Sequence, residues 1–479
     1  MDTILSELFL QWAGEPCLEQ LALGANGSNR RYYRLIGNTR RCIATIGDEQ
    51  RENDTFLYYS EHFRRKHLPV PEIYAVSPDR RCYLQEDLGD MTLYAYLYDK
   101  KRQGGGFDAE VLSLYKQVLS DLVRFQTECR DLDFSQAYPR SDFDRQSIQW
   151  DLNYFKYYFL KLAYIPFDEQ LLENDFDRFI DYLLDEDCTY FMYRDFQSRN
   201  IMIDPSGRLC YIDYQGGRRG AAQYDVASLL YSAKSDFPEP IRQELLHHYV
   251  QEFVAATHVD AASFSEKFYA YVLVRIMQAM GAYGYRGYFE RKDYFLKSIP
   301  LAINNLRLVV ENHPLPIALP HLTQVWNAIV AKGSSVAEAF GVVANAASAF
   351  EKLTVEVCSF SFKKGYPADL SGNGGGFVFD CRALPNPGRY PEYRNYTGKD
   401  KPVIDFLKDE PAVGVFLDNA FALVAQSVEK YIERHFTHLM VSFGCTGGQH
   451  RSVYCAERMA QYLRERFDCH VVVKHVEQG

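Results

Sequence analysis

The sequence predicts an α/β multi-domain protein, on three observations. At 479 residues the chain is too long for one ordinary core. Its patterning changes character along its length. Short strand-type runs with one helix give way at about residue 90 to helical spacing, which holds to about 330, and strand–helix alternation begins at Thr354. Two breaks separate the last two regions: the proline-rich HPLPIALP (313–320) and the small-residue stretch AKGSSVAEAFGVVANAASAF (331–350). The expected division is a first domain at 1–330, a linker at 331–352 and a small α/β domain at 353–479. The first domain has a β-rich lobe at about 1–90 and a helical lobe at about 91–330.

Taken in order, residues 21–46 read as a hairpin around LGANGSNRRYYRL and CIATI. ENDTFLYYSEHFRRK, from Glu52, has the spacing of an amphipathic helix, and VPEIYAV and RCYLQEDL read as strands. Leu112, Tyr115, Leu119, Leu122 and Phe125 recur at helical spacing between Glu110 and Glu128. Helices are expected to Asp187, then a β-hairpin with a Pro-Ser-Gly turn in NIMIDPSGRLCYIDY. Helices resume from Tyr224 to Glu311, and a short one follows to Val330. In the last domain VEVCSFSF, GGFVFD and HLMVSFG read as strands. FLDNAFALVAQSVEKYIERHF and SVYCAERMAQYLRERF read as helices crossing over a small sheet.

Composition narrows the function classes. Hydrophobic residues make up 47% and aromatics 15%, enough for every domain to bury a substantial interior. The net charge of −10 argues against a general nucleic-acid coat and against an anionic membrane surface. From Leu353 to Gly479 the charges balance, 15 of each sign, so the first part carries the whole acidic excess. Eleven cysteines without a C-x-x-C pair read as reduced thiols. The start MDTILSELFLQWAGEP lacks the basic n-region of a signal peptide, and no apolar run reaches the roughly 18 to 20 residues of a membrane span. A cytoplasmic protein without a membrane partner is expected.

The sharpest local pattern is YRDFQSRN at Tyr193–Asn200, followed by IDYQGG from Ile212. Phosphoryl transfer needs a carboxylate beside the attacking hydroxyl and oxygen ligands for the magnesium that bridges the phosphates. Asp195 and Asn200, at D-x-x-x-x-N spacing, can supply both. The predicted hairpin is antiparallel, so Asn200 entering it and Asp213 leaving it reach the same open end, with Asp195 on the loop just before. Two unrelated acidic residues flanking a surface hairpin would leave the same letters; spacing, hairpin and second aspartate together favour the chemistry. Upstream, Gly24, Asn26, Gly27 and Ser28 can bring backbone N–H groups over phosphate oxygens, and a plain hairpin turn reads equally well. Arg30 and Arg31 can add charge there, but on a strand only one of them faces inward.

These segments resemble the aminoglycoside and choline kinase class over about residues 1–330. The resemblance implies a bilobal protein-kinase-like (aminoglycoside phosphotransferase) fold using ATP and Mg2+. It implies Asp195 as catalytic base and Asn200 and Asp213 as metal ligands. Tyr193, Arg194 and Asp225 would support the catalytic loop, although Asp225 also reads as a helix N-cap. Gly24, Asn26, Gly27, Ser28, Arg30, Arg31 and Glu86 would bind nucleotide. Within the class, GSNRRYYRL (27–35), LQEDLGDMTL (84–93), YRDFQSRNIM (193–202) and DYQGGRRGAAQYDVASLL (213–230) are most similar to the anomeric amino-sugar kinases, as is PLPIALP. Those kinases phosphorylate N-acetylmuramate and N-acetylglucosamine in cell-wall recycling. The sequence departs from the class at three points. Tyr193 stands where His is usual. Ala44 and Thr45 stand where a strand lysine usually grips the α and β phosphates, which leaves Glu52 without its usual partner. The amino-sugar kinases tend to lack this lysine too; a pseudokinase is the alternative it opens.

In the last domain GCTGGQHRS (Gly444–Ser452) follows a predicted strand and opens a predicted helix. A glycine-rich turn at a helix start offers N–H groups and a favourable dipole to an anion. Cys445, Thr446, Gly447, Gly448, His450, Arg451 and Ser452 are the candidate site. The C-x5-R spacing from Cys445 to Arg451 also occurs in cysteine phosphatases, but no general-acid aspartate can be assigned. Four ordered blocks, SFSFKKGYP (359–367), FVFDCRALPNP (377–387), YRNYTGKDKPV (393–403) and GCTGGQHRSVYCAERMAQYL (444–463), resemble the C-terminal domain of RapZ-type RNase adapter proteins. That resemblance implies binding of a small regulatory RNA and of an amino-sugar phosphate, without catalysis. Lys363, Lys364, Arg382, Arg389, Lys399, Lys401, His450 and Arg451 would track RNA phosphates, or would form a solvated charged surface. Together the two resemblances suggest an amino-sugar kinase with an anion-sensing domain; the alternatives are a non-catalytic RNA-binding regulator and an aminoglycoside or choline kinase.

Overall fold

The computed structural model describes residues 3–23, 30–102, 105–340, 352–369, 375–433 and 436–477. The expected phosphate-covering turn at Gly24–Ser28 lies outside them, as does half of the expected linker. The chain divides into two compact units, Met1–Tyr285 with Phe295–Asn345 and Arg286–Tyr294 with Ala346–Gly479.

The first unit opens with α1 (Thr3–Ala13) and an antiparallel sheet of β1 (Glu19–Leu23), β2 (Arg31–Ile36), β3 (Arg41–Ile46), β4 (Ile73–Val76) and β5 (Cys82–Gln85), in the order β1-β2-β3-β5-β4. The expected hairpin at 21–46 is therefore three strands. A tight turn at Gly37–Arg40, closed by the Gly37 amide on the Arg40 carbonyl at 2.8 Å, makes a hairpin of β2 and β3 alone. Strand alternation sorts the side chains by face. Leu35, Cys42, Ala44, Ile46, Cys82 and Leu84 pack with Leu5, Leu8 and Phe9 of α1. Tyr83 turns the other way, into the main core and against α2 (Gln50–Arg65), where Phe56 stacks between Tyr83 and Tyr214 at 5.1 and 4.8 Å.

A helical lobe follows: α3 (Leu93–Arg102), α4 (Ala109–Glu128), α5 (Arg145–Phe155) and α6 (Glu169–Leu184). After the strands described next come α7 (Gln223–Leu230), α8 (Glu239–Thr257), α9 (Ala261–Gly284), α10 (Asp293–Leu296), α11 (Ile299–Asn312), α12 (Pro320–Lys332) and α13 (Ser334–Ala339). Four of the longer helices begin where the sequence supplies an aspartate cap. Asp108, Asp144, Asp168 and Asp260 each accept the amide three residues on, satisfying a donor that has no partner within the helix. Between α6 and α7 lie β6 (Tyr190–Met192), the expected hairpin of β7 (Ile201–Ile203) and β8 (Leu209–Tyr211), and β9 (Arg218–Gly220), which pairs with β6. The β6–β9 ladder is three residues long, too short for a period to announce it.

The second unit holds β10 (Thr354–Ser361), β11 (Gly376–Asp380), α14 (Lys401–Lys408), α15 (Pro411–Glu433), β12 (His438–Cys445), α16 (Arg451–Arg466) and β13 (His470–His475). Its four strands run parallel in the order β11-β12-β10-β13. The sequence reading had no place for α14 or for the edge strand β13. One statement about apolar runs needs correcting: by length and composition α15 could cross a membrane, with a mean hydropathy of 1.3 over Pro411–Ile432. Its buried positions Val413, Leu417, Ala420, Val424 and Val428 form one stripe within the core of this unit, as in an amphipathic core helix. A lobed sheet-and-helix unit followed by a separate α/β unit is the predicted fold class.

Candidate active site

Strand β6 delivers the chain into the loop Tyr193–Gln197, and two devices fix that loop. Asp225, fully buried at the start of α7, accepts the amides of Tyr193 at 2.6 Å and Arg194 at 2.9 Å. It does not cap its own helix, whose N-cap is Ala222. Burial raises the Asp225 carboxyl to about 7, against the pull of those two amides. Arg194 sits at φ +78°, a left-handed conformation costly for a side chain, and its surroundings over-determine it. Its guanidinium binds Asp151 of α5 at 2.8 Å, donates to the Tyr224 hydroxyl and lies over the rings of Phe143 and Tyr224. Tyr193 occupies the usual histidine position. Its buried hydroxyl donates to the Ile212 carbonyl at 2.6 Å, which ties the loop to the residue before Asp213.

The three chemical side chains meet at the end of the β7–β8 hairpin. The Ile212 amide donates to the Asn200 carbonyl at 3.0 Å, closing the hairpin. The Asn200 amide nitrogen lies 2.9 Å from the Asp195 carbonyl, 3.4 Å from Asp195 Oδ2 and 3.3 Å from Asp213 Oδ2. Asp213 also sits at positive φ, +69°, and accepts Gln215 Nε2 at 2.7 Å. Its carboxyl is raised to about 6, by burial first and by the Asp195 charge second. Two carboxylates and an amide converge here, and the like-charge strain between them is what a divalent cation relieves. This oxygen donor set suits Mg2+. Among the described residues no cluster of three or more His, Cys, Asp or Glu side chains could hold a metal ion. The set here counts only two such residues and completes itself with Asn200.

The remaining candidates are placed as follows. Arg30 is buried, 3.5 Å from Glu52 and over the Phe56 ring. Arg31 points outward, more than half exposed, with only Asp48 at 3.9 Å, so it joins nothing at the site. The Glu86 carboxylate accepts from Arg208 and from the Glu72 amide. Sequence reasoning missed four residues. Gln215 lies two residues from Asp213 and could have been found from proximity. Asp151, Arg275 and Lys234 come from distant helices or loops and left no local signal. Arg275 of α9 stands 3.9 Å from Asp195 while donating to Ser228 and Gln278. Lys234 lies in the electrostatic reach of Arg199 and Lys297.

In the second unit the turn 445–450 links β12 to α16. The Gly448 amide, at φ +70°, donates to Cys445 Sγ at 3.2 Å, and the Ser452 hydroxyl lies 3.2 Å from the same sulfur. Burial raises the Cys445 thiol, but the Ser452 hydroxyl and the amides of Ser452, Gly447 and Gly448 outweigh it and bring it below its ordinary value. Thr446 and Gly447 are exposed. His450 and Arg451 do not point into the turn. His450 Nε2 lies 3.1 Å from the Tyr393 carbonyl, and buried Arg451 donates from Nη1 to the carbonyls of Arg382 and Leu384 at 2.8 and 3.0 Å. The guanidinium thus fastens the 382–384 segment, where a phosphatase would aim it at phosphate. Of the basic residues expected to track RNA, Lys364 pairs with Glu477, Arg382 with Asp380, and Lys399 lies 4.0 Å from Glu457.

The braced loop thus sets Asp195 beside Asn200 and Asp213 at one hairpin end. The chain belongs to the phosphotransferase enzyme family, whose model matches residues 19–259, just over half of it. Residues 353–479 match the RapZ C-terminal domain. A nucleotide-binding protein of Cupriavidus pinatubonensis is 44% identical over 127 residues, 26% of this chain and 41% of that protein. One from Neisseria meningitidis serogroup B is 41% identical over 123 residues, with the same coverage of 26% and 41%. The chain therefore spans about two-fifths of these curated relatives. Among solved structures, choline kinase LicA from Streptococcus pneumoniae aligns at 19% identity and a TM-score of 0.44, covering 64% of this chain and 99% of that one. A thermostable mutant of an aminoglycoside phosphotransferase aligns at 16% and 0.40, covering 63% and 98%.

Proposed function

We propose that the first unit is an ATP-dependent phosphotransferase acting on a sugar hydroxyl, at the anomeric position of an amino sugar such as N-acetylmuramate or N-acetylglucosamine. The observation that carries this reading is the meeting of Asp195, Asn200 and Asp213 at one hairpin end. Asp195 is the base that takes the acceptor hydroxyl's proton. Asp213 and Asn200 would hold Mg2+, Asn200 through its amide oxygen, and the ion when bound would supply charge that neutralises the transferring phosphate. Asp225, Tyr193 and Arg194 hold Asp195 at its station and act through it.

The charges beside Asp195 speak to the acceptor. Arg275 stands next to it, Arg199 follows shortly after it in the chain, and Lys234 feels the charges of both Arg199 and Lys297. Such a surround repels a polycationic aminoglycoside and suits a carboxylated sugar, which favours N-acetylmuramate over kanamycin or choline. The C-terminal unit is read as the binder of a sugar phosphate or a regulatory RNA. One observation favours a non-catalytic regulator instead: β3 carries no lysine for the nucleotide phosphates.

Steady-state ATP turnover with N-acetylmuramate, N-acetylglucosamine, kanamycin and choline, with product identified by NMR, tests the reading. Turnover with an amino sugar, lost in Asp195→Ala, is the expected outcome. Tight RNA binding with no turnover of any acceptor would replace the kinase with the regulator.

A further inference from the structure

The missing strand lysine has a replacement in the same sheet. Residue alternation decides which β3 position faces the nucleotide side. Ala44 packs with Leu35, Cys42 and α1 on one face. Thr45 points to the other face, where its strand partners are Tyr32 and Tyr83, and Tyr83 stacks on Phe56 of α2. Thr45 is therefore the position a lysine would occupy. Three arginines lie on or just before β2. Arg31 faces outward. Arg34 is held by Asp87 and Asp90 at 2.9 Å each. Arg30, one residue before β2, shares the parity of Tyr32, and its side chain is only 4% exposed. It lies over Phe56, within 3.5 Å of Glu52 on α2 and in the electrostatic field of Asp213. A cation between the glutamate of that helix and the metal-binding aspartate is what phosphoryl transfer in this fold needs from the strand lysine.

We infer that Arg30, oriented by Glu52, is the cation that grips the α and β phosphates of the nucleotide, in the place left by Thr45. The inference rests on the kinase reading above and deepens it. A guanidinium reaches farther than an ammonium and offers a fork of donors to two phosphate oxygens at once. Its origin just before β2 is compatible with a threonine on β3. The same pairing gives Glu52 the partner that the sequence denied it.

Binding to the full chain separates this from a packing role. Calorimetry with Mg-ATP, Mg-ADP and adenosine is compared between wild type and Arg30→Ala. The expected result is ADP and ATP affinity down at least tenfold with adenosine within twofold. Adding Thr45→Lys to Arg30→Ala should recover part of the ATP affinity. Equal loss for adenosine, or ATP affinity within twofold of wild type, overturns the assignment. Should Arg30→Ala not fold, Glu52→Gln carries the same test, since it removes only the charge that orients the guanidinium. A wild-type protein that binds no nucleotide would sink the kinase reading itself; a wild type that binds ATP equally well with and without Arg30 sinks only this inference.

Discussion

The Asp195 site and the Cys445–Ser452 turn both read as phosphate sites in the sequence, yet they are finished differently. At the first, charged oxygens face one another with a single amide between them, and burial leaves Asp213 strained by Asp195. At the second, the most promising donors are spent on the protein itself: Gly448 on Cys445, His450 at the Tyr393 carbonyl, Arg451 on the carbonyls of Arg382 and Leu384. Unbalanced charge is what the proposed metal site and reaction would use. Internally satisfied donors leave only the exposed Thr446 and Gly447 of this turn open to a ligand under the proposed reading.

The largest effect expected from this contrast is on turnover. Asp195→Ala should lower kcat by about a thousandfold, the scale of losing general-base catalysis, with ATP affinity nearly unchanged. A loss of less than tenfold would remove Asp195 from the chemistry. The next effect is on stability. Asp225→Ala strands the amides of Tyr193 and Arg194, and at about 1–3 kcal/mol for each unpaired donor it should cost about 2–6 kcal/mol, read by chemical denaturation. Activity should fall along with the loop's order. A variant of wild-type stability would mean that the brace is dispensable.

How far the two sites could be read in the sequence follows from how local they are. Asp195, Asn200 and Asp213 are legible because one loop and one short hairpin set their separation, and hairpin geometry leaves little choice about where the ends meet. Tyr193 at the histidine position raised a doubt that its hydroxyl on Ile212 answers, since the tie to the hairpin runs backbone-ward and needs only a donor of the right length. Arg275 and Asp151 are not legible, because helix packing alone brings α9 and α5 to the loop. The same applies to the β6–β9 ladder, whose strands are too short to have a period. For the second turn the residue types read as donors, but the direction of a donor is a tertiary fact. Nothing in GCTGGQHRS says that Arg451 bonds to carbonyls of the 382–384 segment.

That direction yields a third, smaller prediction. Thr446→Asp puts a negative charge on the exposed part of the turn and should weaken sugar-phosphate binding to the full chain at least tenfold by calorimetry, leaving the sugar-dependent ATPase rate unchanged. Unchanged affinity would move the anion site elsewhere and make the turn a purely structural link between β12 and α16.

The smallest effect tests whether Lys234 serves the acceptor under the proposed reading. Burial, reinforced by the positive charges of Arg199 and Lys297, brings the Lys234 ammonium down to about 7. A depressed lysine carries its charge only below that value, so the charge offered to a carboxylate fades as pH rises through it. Because kcat/KM reports the free enzyme, its value for N-acetylmuramate should fall severalfold between about pH 6 and 8 relative to that for N-acetylglucosamine. The second sugar lacks the carboxylate and shares every other titration, so their ratio isolates Lys234. Lys234→Met should flatten the ratio, at the low-pH cost of acidic-sugar affinity. Parallel profiles for the two sugars would show that the cations around Asp195 serve something other than the acceptor's charge, and the contrast between the two turns would then rest on the metal pair alone.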